Sequence, residues 1–137
     1  MDVAILIGRV LFAAIFVGGS IGHFTNTATM SAHTESMGLR PGRLFVLGSA
    51  VWMSIAAALL LVGAWIDVAA LMLFVFLIPT AFVMHRFWTA TDPETKATEQ
   101  IHFLKDLSLA GGALMLFGFA VKAGGSLDYT VTGPLFS

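Results

Sequence analysis

The sequence predicts an all-α protein, a bundle of four transmembrane helices in a single domain. Three observations predict it. First, 58% of the 137 residues are hydrophobic and 11% are charged, where a soluble domain carries about 25% charged residues. Mean hydropathy is +0.91, and a small sphere cannot hide that much apolar side chain from water. Second, the runs 3–22, 44–66, 68–88 and 103–123 are each apolar and long enough to cross a bilayer, which takes about 20 helical residues. Third, no run shows the dyad alternation of a membrane β-strand, and a backbone in lipid must pair its N–H groups within its own segment. The composition also excludes disorder. A net charge of −1 without a basic tail argues against nucleic acid as a partner. The absence of cysteine excludes disulfides, thiol redox chemistry and thiolate metal sites.

Span one holds a single charge, Arg9. Its start lacks the positive n-region of a signal peptide and its apolar run exceeds a signal h-region, so it is expected to remain as a span. The connection 23–43 is long and polar, and Thr29 to Met37 predicts a short surface helix ended by Gly38 and Pro41. Spans two and three are separated by little more than Asp67, which predicts a tight hairpin. Pro79 interrupts span three and frees a backbone carbonyl one turn earlier. The connection 89–102 is charged and water-facing, and a tail, 124–137, follows span four. The Gly18–Gly22 pair and Gly111-Gly112 predict close helix contact. Five Lys and Arg (Arg40, Arg43, Arg86, Lys96, Lys105) fall on the face of the two long connections and two (Arg9, Lys122) on the face of the termini. The positive-inside rule therefore places the long connections in the cytoplasm.

Ionisable groups inside a membrane are costly and mark candidate sites. His23 closes span one, His85 nearly closes span three and His102 opens span four, so alternating spans bring all three to one membrane face. Lys105 and Asp106 lie one turn further in and share a helix face with His102. The functional reading is a pocket for a polar headgroup, a quinone ring or a small oxidisable substrate. His85, His102, Lys105 and Asp106 are the catalytic candidates, able to polarise an oxygen and exchange protons. His23, Arg86 and Trp88 are candidates for holding the substrate. The competing reading is that His, Trp, Lys and Arg sit at span ends because they suit the headgroup layer. A bound quinone is the leading cofactor expectation, haem and metal are weaker ones, and no metal ligand set is assigned. Arg9 lies roughly 9 Å into span one and within about 40° of the face of His23, so a structural ion pair is expected, with Asp128 before Asp67 as its partner.

Gly8-Arg9-Val10-Leu11, His23-Phe24, Met37-Gly38 with Pro41, His85-Arg86-Phe87-Trp88 and Gln100 to Leu107 followed by Ala110-Gly111-Gly112 stand in an order that resembles the DoxX family. Gly125-Ser126-Leu127-Asp128 resembles the family's Ser-Leu-Asp ending, so the resemblance runs from residue 8 to 128. It implies a four-helix protein of the bacterial inner membrane with an oxidoreductase role. Some relatives are tied to thiosulfate oxidation with quinone as acceptor, others to membrane complexes that handle oxidative stress. This chain departs from the family pattern in carrying Asp106 after Lys105, where the family has asparagine. An acid there can neutralise Lys105 and accept a proton.

The sequence thus points to a redox-linked membrane protein whose surroundings are the lipid bilayer, a quinone, and membrane or cytoplasmic redox partner proteins. The alternative is a non-enzymatic scaffold that docks partners through the connections 23–43 and 89–102. A carrier or channel subunit is a third reading, disfavoured because four short helices enclose little pore.

Overall fold

The computed structural model describes residues 1–136 and contains helices α1 (Asp2–Thr25), α2 (Thr27–Ser36), α3 (Gly42–Val62), α4 (Ile66–Met84) and α5 (Pro93–Ala123). Short 3-10 turns lie at Phe87–Thr89 and Gly124–Ser126. Four of the helices, all but α2, are long and apolar enough to cross a membrane. The protein is a multi-pass, all-α membrane bundle.

Its packing follows from lipid as solvent. The buried apolar residues are mostly alanines: Ala13, Ala50, Ala56, Ala57, Ala69, Ala70, Ala81, Ala110, Ala113 and Ala120. Large side chains such as Ile7, Leu11, Ile55, Val75, Leu104 and Met115 point outward. With no hydrophobic force pulling helices together in lipid, small residues win the contacts because they let backbones approach. Helix α4 packs along α5 and α1 along α3, with α3 and α4 joined as a hairpin. The Gly18–Gly22 pair does not make the expected contact, since both positions face open space; Gly19 meets Met53 instead and Gly112 meets Phe12.

Helix ends differ from the sequence expectation where polar caps decide them. Helix α5 starts at Pro93, ten residues before the apolar run, because Asp92 caps it: its carboxylate accepts from the Thr95 N–H at 2.9 Å and Pro93 occupies the first turn. The first turns of α5 therefore form an arm of roughly 15 Å beyond the apolar run. Helix α4 stops at Met84, and Phe82, Phe87 and Trp88 pack edge-on around Phe103 instead of prolonging the span. The predicted surface helix is α2, and Pro79 is absorbed within α4 without ending it.

The tail is strapped across the α3–α4 turn. Val131 N donates to Gly63 O at 2.9 Å, and Trp65 N to Thr132 Oγ1 at 3.0 Å. Leu135 N and Phe136 N both donate to Asp67 Oδ2, at 2.8 and 2.7 Å. Asp67 is thus a fully buried member of α4's first turn, where a carboxylate suits the helix dipole.

Arg9 does not pair with Asp128. It is 2% exposed, and among the described residues its hydrogen bonds go only to carbonyls: Leu60 O at 3.0 Å, Leu61 O at 3.3 Å and Tyr129 O at 3.0 Å. The reason is the end of α3. The last carbonyls of a helix lack intrahelical donors, and the amides of Gly63 and Ala64 both turn back to Leu59 O. Leu60 and Leu61 would be orphaned in an apolar interior, and the guanidinium fork serves both at the negative end of the dipole.

Candidate functional site

On the opposite face, α3 and α4 diverge around a groove of about 680 Å³, within the range of roughly 300–1,000 Å³ usual for small-molecule sites. Residues 44–52 of α3 and 75–84 of α4 form its walls, which run roughly 12–14 Å along the helices. Met30, His33 and Thr34 of α2 line it as well. Trp52, also in the lining, reaches across from α3 and donates its indole N–H to Met72 O of α4 at 2.8 Å. The lining is almost wholly apolar apart from the histidines His23, His33 and His85 and the hydroxyls of Thr34, Ser49 and Thr80.

Helix α2 is held over this region by two polar contacts. Glu35 Oε1 accepts from Gly42 N at 2.9 Å, and Arg86 Nη2 donates to Met37 O at 2.8 Å. Gly42 is required at that approach, because a side chain there would collide with the Ser31 carbonyl and the Glu35 side chain. Arg86 also donates to Val83 O at 2.9 Å, so its guanidinium ties the α2–α3 connection to the end of α4.

His85, at the end of α4, belongs to the groove and also to a second constellation. Its Nδ1 lies 2.8 Å from Glu99 Oε2 and its Nε2 lies 3.6 Å from Asp106 Oδ2. Its ring stacks on His102 with centroids 5.1 Å apart. Lys105 Nζ is 3.4 Å from His102 Nδ1 and 3.7 Å from Asp106 Oδ1. Helical spacing explains the convergence: residues 99, 102 and 106 recur at i, i+3 and i+7 on one face of α5, against the end of α4. Asp106 is 7% exposed at its side chain while Glu99 is 23% exposed. One imidazole therefore lies between a water-reached carboxylate and a buried one. Such an arrangement can hold a proton on Nε2 or on Asp106 and exchange it with solvent through Glu99.

The expected single cavity is thus divided. His85, His102, Lys105 and Asp106 do come together, but only His85 of that set lines the groove. His23 lines the groove from α1, where its Nδ1 engages Ser49 Oγ at 2.8 Å and Val46 O at 3.2 Å. Trp88 joins the aromatic cluster and Arg86 the carbonyls of Val83 and Met37; neither lines the groove. His33, within the predicted surface helix, is a lining residue on α2. Glu99 was missed because the connection 89–102 read as a loop, which hid its helical register with His102 and Asp106. The Glu99-x-x-His102 spacing and the Asp92-Pro93 start were the signals available. Among the described residues, no three His, Asp or Glu side chains are arranged to hold a metal ion.

The DoxX family model matches residues 4–86, more than half the chain, covering α1 to α4 with His23, the groove walls, His85 and Arg86. The chain belongs to the DoxX family. Comparison with curated proteins and with solved structures finds no match. The DoxX match ends at Arg86, so Glu99, His102, Lys105 and Asp106 lie beyond it, on the helix that completes the charged cluster.

Proposed function

We propose that this DoxX-family protein is a redox-linked protein of the bacterial inner membrane that binds a quinone-type amphiphile in the α3–α4 groove. The observation that carries the reading is the double membership of His85, which lines an apolar groove and at the same time touches Glu99 and approaches Asp106. A groove of about 680 Å³ with apolar walls and its polar groups contributed by a few side chains suits a ring with an apolar tail. A quinone-type ligand supplies the electron-carrying chemistry that no side chain in a cysteine-free chain provides. The protein's part is to orient the ring and to hold and move protons. His85 passes a proton between the groove and Asp106, Lys105 offsets the Asp106 charge, and Glu99 connects His85 to water.

The test is the lipid extract and the ultraviolet–visible spectrum of protein purified from its own membranes. Quinone should co-purify with the wild type. His85→Phe should lower its occupancy, because it replaces a polar group of the groove lining with an apolar ring. Lys105→Ala should leave occupancy unchanged, because Lys105 lies outside the groove lining. A wild-type extract without quinone, from protein that also fails to take up added quinone, ends this reading.

A further inference from the structure

His23 carries information about the ligand that the rest of the groove does not. Its Nδ1 faces two oxygens, Val46 O at 3.2 Å and Ser49 Oγ at 2.8 Å. A backbone carbonyl only accepts. The Ser49 hydroxyl stands 2.9 Å from that same carbonyl, so it can donate there and offer a lone pair to the imidazole. A bare Nδ1 would place a lone pair against the Val46 carbonyl; a protonated Nδ1 satisfies both oxygens. The network therefore assigns the proton to Nδ1, and in the neutral ring Nε2 is an acceptor. Nε2 makes no hydrogen bond among the described residues, while His23 lines the groove. The other candidate groups differ. His85 has Nδ1 on Glu99 and Nε2 toward Asp106. The Thr80 and Thr34 hydroxyls donate back to the carbonyls one turn earlier, Phe76 O at 2.7 Å and Met30 O at 2.8 Å. His33 is not fixed by any partner among the described residues.

A fixed acceptor in an apolar groove selects for a donor, since a ligand oxygen without hydrogen would meet the Nε2 lone pair with its own. We propose that the groove recognises a ring hydroxyl donated to His23 Nε2, so that its preferred ligand is a hydroquinone or alkyl phenol and not the corresponding quinone. The inference rests on the groove being the binding site and adds which redox form of the ligand it favours.

Two measurements test it. Histidine-labelled wild-type protein should show His23 as the Nδ1–H tautomer in nitrogen-15 correlation spectra, and a signal from the Nε2–H tautomer overturns the inference without any ligand. Binding to protein in lipid nanodiscs is then compared anaerobically for a decyl hydroquinone, the matching decyl quinone and the hydroquinone dimethyl ether. The hydroquinone should bind about tenfold more tightly than either of the others, and His23→Phe should erase that difference. Equal or tighter binding of the quinone overturns the inference and leaves the groove reading standing. A hydroquinone preference that survives in His23→Phe assigns the recognition elsewhere and also overturns it. No saturable binding by any of the three overturns both.

Discussion

A single guanidinium joins three parts of the chain that share no sequence neighbourhood. Arg9 from α1 takes up the carbonyls of Leu60 and Leu61 at the end of α3 and that of Tyr129 in the tail. Gly63 makes the junction possible. Its φ of +72 favours glycine, and an added Cβ would stand 2.7 Å from Tyr129 O and 2.9 Å from Arg9 Nη2. Arg9→Leu removes the donors and leaves the buried Leu60 carbonyl unsatisfied, at about 1–3 kcal/mol, along with the part-buried carbonyls of Leu61 and Tyr129. The variant should insert into the membrane but melt at a lower temperature in detergent and be cleaved by trypsin after Lys122 faster than the wild type. Arg9→Lys should fall between them, because an ammonium cannot reproduce the planar fork. Wild-type melting and wild-type resistance to trypsin in Arg9→Leu would show that the strap does not depend on Arg9. That Arg9 faces inward was legible from its depth in span one. Its partner was not, because sequence reading pairs charges with charges and has no view of where a helix end leaves its carbonyls.

At the scale of the element, α5 decides whether the charged cluster exists, since its arm brings Glu99 to His85. Asp92 starts the arm with 2.9 Å contacts from both the N–H and the hydroxyl of Thr95. Those donors hold the Asp92 carboxyl below its ordinary value of 3.8. A depressed carboxylate stabilises the folded arm above that ordinary value, and the contribution is lost as pH falls through the lowered one. Amide exchange at Thr95 and Lys96 should therefore quicken only as pH drops below 3.8, after correction for intrinsic rates. Asp92→Ala should show the quickened exchange already at neutral pH, while Asp92→Asn keeps the cap and loses the pH dependence. Exchange in Asp92→Ala identical to the wild type would mean that packing alone holds the arm. Hydrophobic patterning found the four spans and, with the breakers Gly38 and Pro41, helix α2. It could not find the arm, because a polar helix start announces itself through capping chemistry and not through an apolar stripe. For the same reason His85, His102, Lys105 and Asp106 could be grouped from span ends, while Glu99 stayed hidden.

For the whole molecule, the structure revises the charge count that bears on orientation. Arg9 and Arg86 serve internal carbonyls and are not free loop charges. Lys105 lies against Asp106, so the remaining charges are Arg40, Arg43 and Lys96 on the groove face against Lys122 on the face of the tail. The positive-inside rule counts such residues near span ends, and it predicts that the groove histidines and Glu99 face the cytoplasm. Protons for the His85 cluster would then come from the cytoplasmic side, and the α3–α4 turn with its tail strap would face outward. The absence of native cysteine makes this directly measurable. Val131 is 73% exposed in the tail, and Thr98 is exposed on the arm of α5. In intact cells, Val131→Cys should react with a membrane-impermeant maleimide, and Thr98→Cys should react only after the membrane is opened. The reverse pattern would place the histidine face outside. It would also show that the excess of basic residues on that face does not set the topology.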